Sequence, residues 1–300
     1  IKGNVRNSYA LKSKKIIMKK YYKLTLSAGL SLLFLSFFTA CKSDDDFATI
    51  DESKNGQLEL KFENGFEGVG GIVLNATTQR SELGQYFNFS TLKYIISNVE
   101  LIDENGQVFS YHYNNPDKGA FVINQENAKA NIVYVQLKDI PQRKYTKLRF
   151  GLGINQSAYL MGHDGQAKFW NEAKQQGMTW AWASGYIFAK LEGKYGQEDA
   201  VTPYKNHTGN MGNVVANGTA DLYRVVELNL PTSARVSSKI KPSIHIMANL
   251  NHYLSGEKKL LLDKSNDNAM GSSPYMVDVT NNLSKMFRVD HVHNNEAPQN

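Results

Sequence analysis

Seven histidines, His112, His163, His207, His245, His252, His291 and His293, are the side chains of this 300-residue sequence best suited to hold a metal ion. In His291-Val292-His293 an extended chain puts two imidazoles on one face, about one strand repeat (~7 Å) apart, so both can reach one ion. His207 stands in Lys205-Asn206-His207-Thr208-Gly209, inside a Gly- and Asn-rich stretch, residues 194–220, that reads as a long irregular excursion suited to carrying binding groups. His163 precedes Asp164-Gly165 at an expected helix start and can help to cap it. His245 falls in an expected strand, where a hydrogen-bonded sheet histidine is the simplest reading. Met161, Met178, Met211 and Met247 lie near these histidines in sequence. Thioethers beside imidazoles suit Cu(I) better than harder ions, although each methionine also serves as a core filler.

The other chemistry-bearing stretch is Gly177 to Gly193, GMTWAWASGYIFAKLEG, with two of the three tryptophans. An indole nitrogen keeps its hydrogen and is a donor only, so an intact tryptophan holds a cation with its ring face. Oxidative opening of the five-membered ring leaves an aniline amine with a free lone pair, which is a ligand. The alternative is a stacking platform of Trp180, Trp182 and Tyr186 for a ligand or partner protein, with no metal. Read with period two, the stretch predicts a strand: Trp180, Trp182, Ser184, Tyr186 and Phe188 on a bulky face, and Ala181, Ala183, Gly185, Ile187 and Ala189 on a small one.

The elements that must position these groups read as strands. Leu58, Leu60 and Phe62 alternate with polar residues, Glu63-Asn64-Gly65 turns the chain, and Ile72-Val73-Leu74 follows. A long run from Phe87 to Ile102 breaks at Asp103-Glu104-Asn105-Gly106, a hairpin signal, and returns at Val108 to Tyr111. Phe121 to Ile123, Ile132 to Leu137, Tyr145 to Leu152, Leu222 to Leu230 and Ile240 to Leu250 continue the series, with Pro141, Pro231 and Pro242 at turns and edges. Asp164 to Gln176 predicts a helix capped by Asp164 and ended by Gly177. Ser284 to His293 predicts a last helical turn and strand. The expected fold is all-β, a single antiparallel sandwich or barrel-like domain with long irregular loops and one or two short helices.

Charge and composition bound the function. The first forty residues hold eight of the 34 Lys and Arg and none of the 28 Asp and Glu, leaving 26 basic against 28 acidic residues in the rest. The basicity belongs to a leader, so nucleic-acid binding through a basic surface is excluded as a class. Met18-Lys-Lys-Tyr-Tyr-Lys, the apolar run Leu24 to Phe38 and Thr39-Ala40-Cys41 have the order of a secretory signal. Cys41 is the only cysteine, which rules out an intramolecular disulfide, and FTAC resembles a bacterial lipobox. Lipidation of Cys41 would supply the acyl chains that stable membrane anchoring needs. Residues 1–17 read as an upstream extension, 18–40 as the signal peptide, 41–56 as an acidic flexible tether, 57–293 as the folded domain and 294–300 as a frayed tail. Ser43-Asp44-Asp45-Asp46 resembles the surface-export tag of some Gram-negative lipoproteins, giving an outer-membrane lipoprotein facing the periplasm or the outside. No phosphate loop, G-x-S-x-G elbow or nucleophile with an adjacent base is present, and the expectation is a protein that is not an enzyme.

The stretch GMTWAWASGYIFAKLEG resembles the GMFWTWxSGYxFxKxEG signature of MbnP-like proteins. FNFSTLKYIISNVELIDENG, the LRFGLGIN segment from Leu148 to Asn155, and the HxG motif at His207-Thr208-Gly209 resemble the family's other marks. The resemblance implies an exported all-β domain that binds one copper ion as Cu(I). In it a tryptophan of the W-x-W motif, here Trp180 or Trp182, is converted to kynurenine and coordinates the metal beside histidines, with a diheme peroxidase-like partner making the modification. One branch of the family has W-x-H where Trp182 stands here, so a further imidazole is expected from elsewhere, His291 or His293. The implied ligand set is Trp180, Trp182, His207, His291 and His293.

Overall fold

In a computed structural model of the protein, residues 49–294 are described. The leader, Cys41 and most of the tether lie outside the described residues, as does the tail beyond Asn294. No described helix is long and apolar enough to cross a membrane.

The domain is all-β. Its strands are β1 (Asn55–Phe66), β2 (Gly70–Gly71), β3 (Thr78–Arg80), β4 (Tyr86–Asn88), β5 (Thr91–Asp103), β6 (Val108–Tyr111), β7 (Phe121–Asn124) and β8 (Ile132–Pro141). They continue with β9 (Lys144–Leu152), β10 (Ala189–Gly196), β11 (Thr202–Thr208), β12 (Arg224–Arg235), β13 (Ser243–Asn249), β14 (Met270–Gly271) and β15 (Phe287–His293). The helices are short: α1 (Pro116–Gly119), α2 (Gln156–Tyr159), α3 (Ala167–Gln175), α4 (Val214–Asn217), α5 (His252–Ser255) and α6 (Pro274–Ser284).

Two sheets form. A five-stranded sheet runs β15-β13-β1-β2, with β8 also on β1, and a ten-stranded sheet has β12-β9-β5-β10-β11-β14 as its spine. Most pairs are antiparallel, but β1–β13 and β11–β14 run parallel. The core lies where the inward residues of both sheets meet. Leu58, Leu60 and Phe62 of β1 and Ile244 and Ile246 of β13 are fully buried against Tyr94 of β5 and Leu148 and Phe150 of β9. Phe62 meets Tyr94 at 6.2 Å and Phe150 at 5.9 Å, both edge to face, which ties one sheet to the other. A second apolar cluster sits on the opposite, outer face of the ten-stranded sheet. There Ile95, whose side chain leaves β5 on the other side from Tyr94, packs with Phe169, Ala173, Met178, Trp180, Tyr186, Ile187 and Phe188.

Several expected elements differ. Ile72 to Leu74 is not a strand, and the ladder there stops after Gly71. The expected run from Phe87 breaks at Phe89-Ser90 into β4 and β5. The helix begins at Ala167 after a single 3-10 turn, Asp164–Gln166, and is not capped by Asp164. Asp117 of α1 takes that role, its carboxylate accepting from the Phe169 N–H at 2.8 Å. Gly177 does end the segment, at φ 70°, a conformation costly for any residue with a Cβ. Pro231 lies inside β12, where the register to β9 slips between Asn229 and Ala234.

Candidate metal centre

The largest departure concerns the tryptophan stretch. Only its end, from Ala189, is a strand; Trp180 to Phe188 is an irregular loop closed by the Thr179–Tyr186 bridge and a Trp180 N–H to Gly185 carbonyl bond of 3.2 Å. Gly185 is required by close approach, since a Cβ there would lie 1.9 Å from the Asn210 carbonyl oxygen. The loop folds over the outer face of the ten-stranded sheet. Trp180 is buried, and its indole N–H donates to the Asn210 carbonyl at 3.1 Å. Trp182 is 63% exposed, with its ring 5.4 Å from that of Trp180.

His207 is also placed differently from expectation. It belongs to β11, paired with Lys190 of β10, and not to an irregular excursion. From there it lies under the loop, its ring 6.4 Å from Trp180. Its Nε2 bonds the Glu192 carboxylate at 2.8 Å. Burial holds the imidazole below its ordinary pKa, against the pull of Glu192. Burial pushes the Glu192 carboxyl up, but His207 and Lys190 outweigh it and leave the carboxyl below its usual value. Both directions agree on a neutral ring donating Nε2–H to a carboxylate, which leaves the Nδ1 lone pair free. A carboxylate behind one ring nitrogen is how proteins orient a metal-binding histidine.

Glu192 and Met270, which the sequence does not single out, complete the surroundings together with Met211 and His163. Glu192 could have been singled out by its period-two relation to Lys190 in a strand, but its contact with His207 depends on a non-local pairing. Met270 of β14 stands opposite His207 in the parallel ladder, and Met270 and Met211 both pack on the outer apolar cluster. His163 is held to the loop itself: its Nε2 lies 2.9 Å from the Ser184 carbonyl, and its ring stacks on Trp170 at 3.6 Å.

His291 and His293 are elsewhere. They lie on β15, at the edge of the five-stranded sheet, next to His245 of β13, with His245–His291 rings 4.7 Å apart and His291–His293 rings 4.4 Å apart. Thus two imidazoles of the H-x-H motif do share a face. That face is the outer side of the five-stranded sheet, because His245 alternates with the buried Ile244 and Ile246. Trp180, Trp182 and His207 occupy the outer side of the other sheet. Packed sheets are themselves about 10 Å apart, so the five residues fall into two groups that no single ion can bridge. The aromatic platform also does not form: Trp180 and Tyr186 are buried, and only Trp182 offers a face to solvent.

Compared with known proteins, a family model described as MbnP matches residues 55–273. No curated protein matches the chain. Among solved structures, a chain described as MbnP from Methylosinus trichosporium is similar at 14% identity, covering 81% of this chain and 100% of that one with a TM-score of 0.41, a distance at which no argument about residues is drawn from it.

Proposed function

We propose, for a chain that belongs to the MbnP family, that it is an exported copper-binding protein whose ion is held under the tryptophan loop, on the outer face of the ten-stranded sheet. The observation that carries this reading is Trp180, whose ring lies 5.4 Å from that of Trp182 and 6.4 Å from that of His207, a buried imidazole backed by Glu192. The family's association with copper supports the choice of metal.

The donor set fits a soft ion. His207 offers Nδ1 in its neutral form, and Met211 and Met270 bring thioethers to the same apolar cluster. Imidazole and thioether together favour Cu(I) over harder cations. His163, bonded to Ser184 of the loop, brings a further imidazole to the loop. The intact indoles give no lone pair, so the remaining donor is the amine of a tryptophan opened to kynurenine. Trp182 is the one that a diheme peroxidase-like partner can reach, since Trp180 is buried with its N–H already donated. When bound, copper supplies a one-electron redox centre beside the exposed Trp182. The role is metal carriage and not catalysis, and lipidation at Cys41 anchors the protein to the outer membrane.

Mass spectrometry and metal analysis of protein purified from its native host test the reading. A peptide over Trp180 and Trp182 should carry the mass of one ring carbon replaced by one oxygen, with one copper per modified chain. His207→Ala should abolish copper retention, and His163→Ala should weaken it. Unmodified tryptophans together with a copper-free protein contradict the proposal.

A further inference from the structure

Outside the tryptophan loop, donors gather most densely where β15 meets β13. Antiparallel pairing sets Ser243 against His293 and His245 against His291, then slips so that Ile246 faces Val289. The extra residue is Asp290, and a bulge of this kind re-aims side chains. Phe287, Val289 and Val292 pack on the core. Asp290, His291 and His293 are therefore all delivered to the outer face, two of them consecutive in sequence. One donor atom from each of His245, Asp290 and His291 lies within 4.8 Å of the others.

Two features set this group apart from an ordinary polar surface. His245 Nε2 is shielded from solvent and makes no hydrogen bond, although Glu63 Oε2 is 2.9 Å away. The distance is that of an ion pair, but Nε2 has no well-aligned acceptor, a deficit that a cation would relieve. The carboxylates are also in place: Glu63 beside His245, and Asp290, which accepts from His291 Nδ1 at 2.7 Å and from Arg288 at 2.8 Å. Arg288, and Lys61 opposite His245 in β1, are the cations that compete with an ion here.

We infer that this cluster is a second metal site, independent of the tryptophan loop, which takes a borderline divalent transition metal such as Zn²⁺ or Cu²⁺ through His245, His291 and Asp290, with Glu63 and His293 beside it. Two imidazoles and a carboxylate are a donor set for such ions, and three protein ligands leave one position open. Ligand bonds of about 2.0–2.1 Å need donors roughly 3.4 Å apart. Side-chain rotations of about an ångström reach that spacing, with Asp290 exchanging its contact with His291 for the ion. Asp290, His291 and His293 lie beyond the 55–273 match, whereas His245 and Glu63 lie within it.

The test is equilibrium dialysis of the full chain, purified without a histidine tag, against Zn²⁺, with thermal unfolding measured with and without Zn²⁺. The wild type should bind one Zn²⁺ and unfold at a higher temperature with it. His207→Ala should behave the same way. His291→Ala, at a half-buried position, and Asp290→Asn, at an exposed one, should unfold like the metal-free wild type, bind Zn²⁺ at least tenfold more weakly and lose the thermal shift. Absence of stoichiometric Zn²⁺ uptake, Zn²⁺ uptake that survives both substitutions, or Zn²⁺ binding lost with His207→Ala instead would overturn the inference. None of these outcomes depends on whether the tryptophans are modified.

Discussion

The two donor groups sit on opposite outer faces of one sandwich and are built in opposite ways. Around His245, His291 and His293 the ladder does the positioning: alternation fixes the face, one bulge adds Asp290, and every donor is present as translated. Around His207 the ladder supplies only the imidazole, its Glu192 support and the neighbouring Met270. The rest is an irregular loop that buries one tryptophan, exposes the other and, with both indoles intact, offers no nitrogen lone pair. A regular strand can assemble a site from register alone, whereas a site that needs a covalent change must leave one reactive group outside its own packing. In the copper site proposed above, Trp182 is that group.

This contrast predicts unequal responses to substitution. The largest concerns Trp180→Ala, which removes a buried ring and its hydrogen bond to Asn210 and should cost about 3–5 kcal/mol in chemical denaturation. Gly185→Ala should follow, at roughly 3 kcal/mol, because its Cβ would meet the Asn210 carbonyl and force the loop open; a crystal structure or loss of the Trp180 fluorescence signature checks that the damage is local to the loop. Glu192→Gln leaves the fold intact but loosens the orientation of His207, and copper affinity measured by competition should fall by about 10–100-fold. The smallest effects on stability are expected from His291→Ala, within about 1 kcal/mol at a half-buried position, and from Trp182→Ala, within about 0.5 kcal/mol because its side chain is exposed. Trp182→Ala nevertheless should eliminate the modified peptide in natively expressed protein. A large loss of stability from Trp182→Ala, or none from Trp180→Ala, would break the division between a packed and an offered tryptophan.

The sequence made the regular part visible for a physical reason. Where a strand buries one face, as at Leu58, Leu60 and Phe62, polarity alternates and can be read directly, and the same period correctly put His291 and His293 on one face. The Trp180 to Phe188 stretch misled because its alternation of large and small residues is not an alternation of buried and exposed ones. Gly185 to Phe188 are buried in succession, packed between the sheet, α3 and the following chain. In sequence His207 has the look of a loop residue because Gly and Asn around it disguise β11, whose partner β10 is visible only once the hairpin is formed. Long-range closeness was not legible at all: nothing local joins Glu63 to His245, Asp117 to Phe169 or His163 to Ser184.

The central claim is that copper is held under the tryptophan loop after one ring has been opened, and one measurement addresses it most directly. Protein purified from its native host is digested, the peptide spanning Trp180 and Trp182 is sequenced by tandem mass spectrometry, and copper is quantified in the same preparation. The claim predicts a ring carbon replaced by oxygen at Trp182 and copper in proportion to the modified fraction. Copper bound in full by chains in which both tryptophans are intact would contradict it.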